Sequence, residues 1–258
     1  ALLNKAGLDK IDATDADLSV ILTTAQANAL GSIKFDANDY VTVVDTADNI
    51  KQLTSVEIIA LRTNGVDEIR VKAPAAPAVA IDDLILNAEQ AKVLGTIKLG
   101  ETAVKNAAGV DLISKSYLTD SAENVQKLVG TEITAMIKAG LDGIKLTDTA
   151  PQSLTFNVDQ ARALNIVISK EVTADGKTTT TYTIDQKLVI DAAITFTLKD
   201  SSAHIAALSA REISYLAGNG VDVILSGEAD GRLNLTVDQY KALGTVRLTD
   251  GDKVTLLD

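Results

Sequence analysis

Carboxylates are the residues of this chain best spaced to do chemistry. The stretch DKIDATDADL, residues 9–18, brings Asp12, Asp15 and Asp17 close together in sequence, and a hard cation such as calcium wants several carboxylate and carbonyl oxygens. These three are the metal candidates, and calcium is the cofactor they point to. Partial echoes occur at Asp82 and Asp83, at Asp142 and Asp148, and at Asp222, Glu228 and Asp230. None of these spacings is that of the EF-hand loop or of the glycine-rich nonapeptide of calcium β-rolls. Turn and cap chemistry is the competing reading for any single Asp. His204 is the one imidazole, and no partner unique to its part of the chain accompanies it. It reads as a surface helix residue, because catalysis needs a convergent set of groups. The glycines of GVDVILSGEADGR, residues 220–232, lack phosphate-loop spacing.

Composition narrows the classes further. The chain has 258 residues, 24 Lys and Arg against 35 Asp and Glu, and a formal net charge of −11. Such a chain repels polyanions at long range, which argues against nucleic acid and anionic membrane surfaces as partners. With no Cys, no Trp and 3% aromatic residues, most nucleophiles, transition-metal ligands and stacking platforms are missing. Absence of Cys suits a cytosolic protein and equally a large exported bacterial protein that does without disulfides. No apolar run approaches the roughly 20 residues needed to span a bilayer, so membrane insertion is not expected. The first residues do not read as a signal peptide.

The elements that would position these groups are written as an internal repeat. One phrase recurs at Thr23–Gln26 with Leu30-Gly31, at Asn87–Gln90 with Leu94-Gly95, at Asn157–Gln160 with Leu164-Asn165, and at Thr236–Gln239 with Leu243-Gly244. Before each comes a second phrase, Gly-(Leu/Val)-Asp-x-Ile, beginning at Gly7, Gly65, Gly140 and Gly220. A third opens the complete units, at Asp45, Asp120 and Asp200. The expected organisation is a partial unit over 1–39 and a unit over 40–109 with an inserted loop at 73–80. A unit over 110–195 with an inserted hairpin at 170–185 follows, then one over 196–258 that runs into the start of a next. Both ends fall inside the pattern, as in a segment of a longer array.

The repeated residues are explained by local structure. Thr or Asn followed three positions later by Gln is a capping box, and the Leu-Gly or Leu-Asn step is a left-handed C-terminal stop. Thr54-x-x-Glu57 and Ser209-x-x-Glu212 are further boxes, with Val129 breaking the pattern. Asp45, Asp120 and Asp200 are expected as N-caps. Each full unit then reads strand, helix pair, strand, strand, helix, strand. The expected fold class is α/β, a solenoid-like array of strand-helix units with mainly parallel strands and short capped helices. Two compact α/β domains of two units each are the alternative.

The pattern Asp-Thr-Ala-x-Asn-Ile, an apolar helix, Gly-Val-x-x-Ile, then Leu-Thr-x-x-Gln-Ala-x-x-Leu resembles the acidic, Cys-free repeats of long secreted bacterial surface proteins. These include large adhesins, S-layer-like proteins and hemolysin-type calcium-associated repeat proteins. The resemblance covers nearly the whole chain outside 73–80 and 170–185. It implies an extracellular or cell-surface, non-enzymatic segment that acts as spacer, surface-layer element or adhesive array. Implied partners are the same protein's neighbouring repeats, or a surface glycan or protein receptor. A carbohydrate-binding or carbohydrate-processing module is the alternative, and the scarcity of aromatics weighs against it.

Overall fold

Alternating β-branched and aliphatic residues form the strands, and polar caps followed by helically spaced Leu and Ile form the helices. The computed structural model describes residues 7–14, 17–75, 80–174 and 177–257. Among the described residues there are ten helices and mostly parallel sheets, none closed into a barrel. Two compact units divide the chain: Ala1–Thr119 with Lys138–Asp142, and Asp120–Ile137 with Gly143–Asp258.

In the first unit, strands Ser19–Leu22, Tyr40–Asp45, Glu68–Val71 and Lys98–Gly100 lie parallel in that order. Leu22 pairs with Val43, Val43 with Ile69, and Ile69 with Leu99, so one apolar row crosses the sheet. Val43, Ile69 and Leu99 are buried, beneath helices that contribute Ile50, Ile58 and Leu61 to the core. Parallel strands buried in this way need apolar residues in register, and these provide them. Two more parallel pairs complete the unit's regular frame: Lys10–Ile11 with Lys34–Phe35, and Leu84–Leu86 with Ser116 to Leu118. A small antiparallel hairpin, Ala103–Lys105 with Asp111–Ile113, was not foreshadowed by the repeat. Its turn is held by Asn106, whose Oδ1 accepts from the amides of Ala108 and Val110.

The second unit repeats the arrangement. Strands Gln152–Phe156, Ile194–Asp200, Val221–Ser226 and Arg247–Leu248 are parallel in that order, and Phe156 and Phe196 meet edge to face at 5.5 Å. Such an aromatic pair contributes about 1 kcal/mol beyond its burial. Gly143–Leu146 pairs with Val189–Ile190, and Arg232–Thr236 with Lys253–Leu257. The strands Asn165–Ala174 and Lys177–Lys187 form an antiparallel hairpin longer than the expected 170–185. The expected turn at Asp175-Gly176 lies outside the described residues, as do residues 76–79 of the expected loop.

The hairpin is threaded into a turn that stays closed. In the other repeats a Leu carbonyl accepts from the amide three residues on: Leu30 from Ile33, Leu94 from Ile97, Leu243 from Val246. Leu164 accepts instead from Leu188, at 2.9 Å, on the far side of the hairpin. Gly31, Gly95 and Gly244 take positive φ at their turns, but Asn165 does not. It starts the hairpin strand, so the expected left-handed stop at Asn165 is replaced by extended backbone.

Capping follows the sequence with one correction. Complete capping boxes form at Thr23, Asn87, Asn157 and Thr236 with their Gln partners, and at Thr54 and Ser209 with Glu57 and Glu212. Val129 keeps half a box, its amide donating to Glu132 Oε2. The N-caps of the helices Ala47–Lys51, Ala122–Gln126 and Ser202–Ala206 are Thr46, Ser121 and Ser201, one residue after the expected Asp45, Asp120 and Asp200. The hydroxyl reaches the N3 amide, which leaves the preceding carboxylate able to accept from elsewhere. The helix Ser55–Thr63 ends in a Schellman motif, with Gly65 N donating to Arg62 O and Val66 N to Leu61 O.

Candidate functional site

The groups that could do chemistry are carboxylates, Gln side chains and one imidazole, and the strands and helices place most of them against backbone. Asp67 follows the Gly65 cap at the mouth of strand Glu68–Val71. Its amide donates to Val41 O at 2.9 Å while its Oδ2 accepts from Val41 N at 2.8 Å, a two-point clip onto the adjacent strand. Asp142 clips Ser116 in the same way, with 2.8 Å and 2.7 Å bonds, and Asp222 Oδ2 accepts from Phe196 N at 2.8 Å. In each case the carboxylate reaches a residue 26 positions upstream.

A second group of carboxylates sits at helix starts, where the first amides have no intrahelical acceptor and the helix dipole favours negative charge. Asp148 Oδ2 accepts from Ala122 N and Glu228 Oε1 from Ser202 N, both the first residues of their helices. Asp45 serves two helices at once. Its Oδ2 accepts from Thr24 N and Oγ1, and its Oδ1 from Thr46 N and Asn49 Nδ2. Burial pushes the Asp45 carboxyl upward, but the bonds from Thr24, Asn49 and Thr46 outweigh it and hold its pKa at about 2, against 3.8. Asp200 has the same design, joining Val158 N, Ser201 N and His204 Nδ1. Desolvation opposes ionisation there too, and the bonds from Val158, Ser201 and His204 bring the carboxyl below its usual range.

His204 therefore has a carboxylate partner at 2.8 Å. That partner is not special to it, because Asn49 and Asn124 donate to Asp45 and Asp120 from the corresponding positions. The imidazole is also 68% exposed, in open solvent rather than in a cleft. Tyr40, like Asp45, is strongly perturbed. Its hydroxyl donates to Glu68 Oε2 at 2.7 Å, and that bond, with some burial, pushes its pKa up to about 12. A phenol held protonated in this way is a tie between strands, not a base.

The repeated Gln does more than close its box. Gln90 Nε2 donates to the carbonyls of Lys51 and Leu53 at 2.9 and 2.5 Å, where the chain leaves one helix and enters the next. Gln160 holds Gln126 and Leu128, and Gln239 holds Ala206 and Leu208, by the same pair of bonds. All three are buried, whereas Gln26 is exposed and, among the described residues, makes only its box. Local spacing revealed the box and concealed the clamp.

Of the metal candidates, Asp12 and Asp17 are exposed, Asp17 accepting from Ser19 N at 3.4 Å, and Asp15 lies outside the described residues. Among the described residues no three acidic or imidazole side chains converge in a way that could hold a metal ion. All the echoes but Asp82 are engaged elsewhere. Asp83 accepts from Lys115 N, Asp230 pairs with Arg232, and Asp142, Asp148, Asp222 and Glu228 hold the amides described above. These engaged carboxylates thus act chiefly as acceptors for strand and helix amides.

No protein-family model matches the chain, and no curated protein or solved structure matches it either. The class that fold and site define is a cysteine-free α/β chain of mostly parallel sheets whose repeated polar residues tie backbone to backbone. No helix among the described residues is long and apolar enough to cross a membrane.

Proposed function

We propose that the chain is a non-enzymatic structural or adhesive segment of an extracellular bacterial surface protein, its units stacked as a solenoid-like array. In this reading it works as a spacer, a self-assembling surface-layer element or an adhesion array. One observation carries the reading: the groups repeated from unit to unit are committed to backbone. Gln90, Gln160 and Gln239 each hold two helix carbonyls, and Asp67, Asp142 and Asp222 each hold a strand amide. Repetition of ties, without a convergent reactive set among the described residues, is what a load-carrying or lattice-forming array needs. The acidic surface, with a net charge of −11, favours cation-bridged contacts between copies over polyanion partners.

Light scattering on the purified chain, in millimolar calcium and then in chelator, tests this. The expected result is reversible growth in mass with calcium, through neighbouring copies. A monomer in both conditions, together with hydrolysis of a glycan panel abolished by one Asp to Asn change, would overturn the proposal in favour of a carbohydrate-processing module.

A further inference from the structure

Two strand pairs in this chain are complementary halves of one sheet. The four-stranded sheet of the first unit runs Ser19–Leu22, Tyr40–Asp45, Glu68–Val71, Lys98–Gly100. Arg232–Thr236 with Lys253–Leu257 supplies the first two places of that order, and Lys10–Ile11 with Lys34–Phe35 supplies the last two. Backbone bonds fix both assignments. Lys253 N donates to Gly231 O as Tyr40 N does to Leu18 O, and Lys34 N donates to Asp9 O as Lys98 N does to Asp67 O. Among the described residues, Lys253–Leu257 and Lys10–Ile11 therefore each keep one edge on which no strand lies. Such an edge is a row of unpaired amides and carbonyls, a template for another strand.

The groups that join the two halves in the first unit are present on these edges. There the tie is Asp67, whose amide donates to Val41 O at 2.9 Å and whose Oδ2 accepts from Val41 N at 2.8 Å. Asp9 stands at the place of Asp67 in the phrase that begins at Gly7, and Val254 stands at the place of Val41, each one residue past the start of its strand. Asp9 is exposed, and its carboxylate has no partner among the described residues. The apolar residues tell the same story. Leu8 and Leu256 are 36% and 50% exposed, whereas Val66 and Val43, at the same places in the complete sheet, are buried. Ile11 is half-buried where Ile69 is buried.

We propose that strand Lys253–Leu257 of one copy adds to strand Lys10–Ile11 of a second copy, completing a four-stranded parallel sheet between them. The register follows from the first unit, where Thr42 pairs with Glu68 and Val43 with Ile69. Thr255 then meets Lys10, Leu256 meets Ile11, and Asp9 holds Val254 as Asp67 holds Val41. Main-chain bonds supply the affinity, and the buried Leu and Ile supply the register. The two edges differ, so the contact is head-to-tail and leaves a free edge at each end of the assembly, which lets growth continue past a pair. This inference rests on the self-assembly reading above and gives it an interface that needs no calcium.

Sedimentation of the full chain in chelator, from micromolar to millimolar concentration, tests this. Mass should rise with concentration and pass beyond two chains. Val254→Pro removes the amide that meets Asp9, and Asp9→Ala removes the carboxylate. Each variant alone should associate at least about tenfold more weakly, the scale of one hydrogen bond to a charged group, while circular dichroism stays native. Leu256→Lys, at an exposed edge position, should act like Val254→Pro without altering the backbone. Val254→Pro and Asp9→Ala each retain one sound edge. Mixed in equal amounts, at a concentration where each alone is a monomer, they should form a complex of two chains that grows no further. A monomer at millimolar concentration in chelator would overturn the proposal, as would undiminished association of Val254→Pro and Leu256→Lys or a mixture that stays monomeric. Assembly seen only with calcium and indifferent to Val254→Pro would overturn this interface and leave self-assembly standing, whereas no assembly in either condition would remove both.

Discussion

Replacing Gln by Glu at positions 26 and 90 separates the two jobs of the repeated glutamine. Glu closes capping boxes as well as Gln does, as Glu57 and Glu212 show in this chain. Among the described residues the Gln26 side chain only accepts from Thr23, at 2.8 Å from the Thr23 amide, so Gln26→Glu should shift stability by less than about 0.5 kcal/mol. At Gln90 the lost Nε2 donor served two carbonyls, at 2.9 and 2.5 Å, and a carboxylate oxygen would take its place against them. Two hydrogen bonds at about 1 kcal/mol each, plus the penalty for a buried unpaired charge, give a loss of about 3–5 kcal/mol. Urea unfolding followed by far-UV circular dichroism reads this as a lowered midpoint for Gln90→Glu alone. The pH dependence adds a second check. Carbonyls facing the new Glu raise its folded pKa above the unfolded value, so the destabilisation is present above the folded pKa and is relieved as pH falls through it. Equal midpoints for the two variants at neutral pH, or a gap that does not narrow in acid, would refute the clamp.

Two further predictions follow from the caps and the buried carboxylates. Gly140→Val should destabilise most among the glycine caps, by about 3–5 kcal/mol, because a left-handed φ of +105 is combined with a Leu99 carbonyl 2.7 Å from the new Cβ. Gly220→Val carries the backbone cost with open space around it and should lose about 1–2 kcal/mol, so urea midpoints that leave the two indistinguishable would contradict the packing described. For Asp45, whose folded pKa of about 2 lies below the ordinary 3.8, the stabilisation is complete well above 3.8 and is lost as pH falls through that value toward 2. That window is worth about 2 kcal/mol, and Asp45→Asn should flatten the acid limb of a stability-versus-pH curve between pH 4 and 2.

Much of the fold could be read in advance because its signals are local. Thr54 and Glu57, or Asn87 and Gln90, are three residues apart, and helix geometry alone brings them together. The strand, helix pair, strand, strand, helix, strand order appears for the same reason: caps and alternating apolar runs mark each boundary. What stayed hidden depends on which elements become neighbours. Gln90 gave no sign that its amide would reach Lys51, and the N-cap moved from Asp45 to Thr46 because Asp45 also serves the amide of Thr24. A signal existed in the carboxylates, since Asp67, Asp142 and Asp222 lie 26 residues after the amides they hold. Constant offset along parallel strands marks a structural acceptor before any metal is considered.

The hydrogen bond from Leu188 to Leu164 carries a consequence for how such a chain diversifies. It closes the turn whether the intervening stretch is two residues or a whole hairpin, so loop length there is uncoupled from the register of the strands on either side. Lengthening a loop between fixed ends costs entropy only logarithmically. The turns at Leu30, Leu94 and Leu243 share this closure. They are therefore ports at which foreign sequence could be grafted for display, spaced by the repeat itself, while the sheets that carry them go on pairing as before.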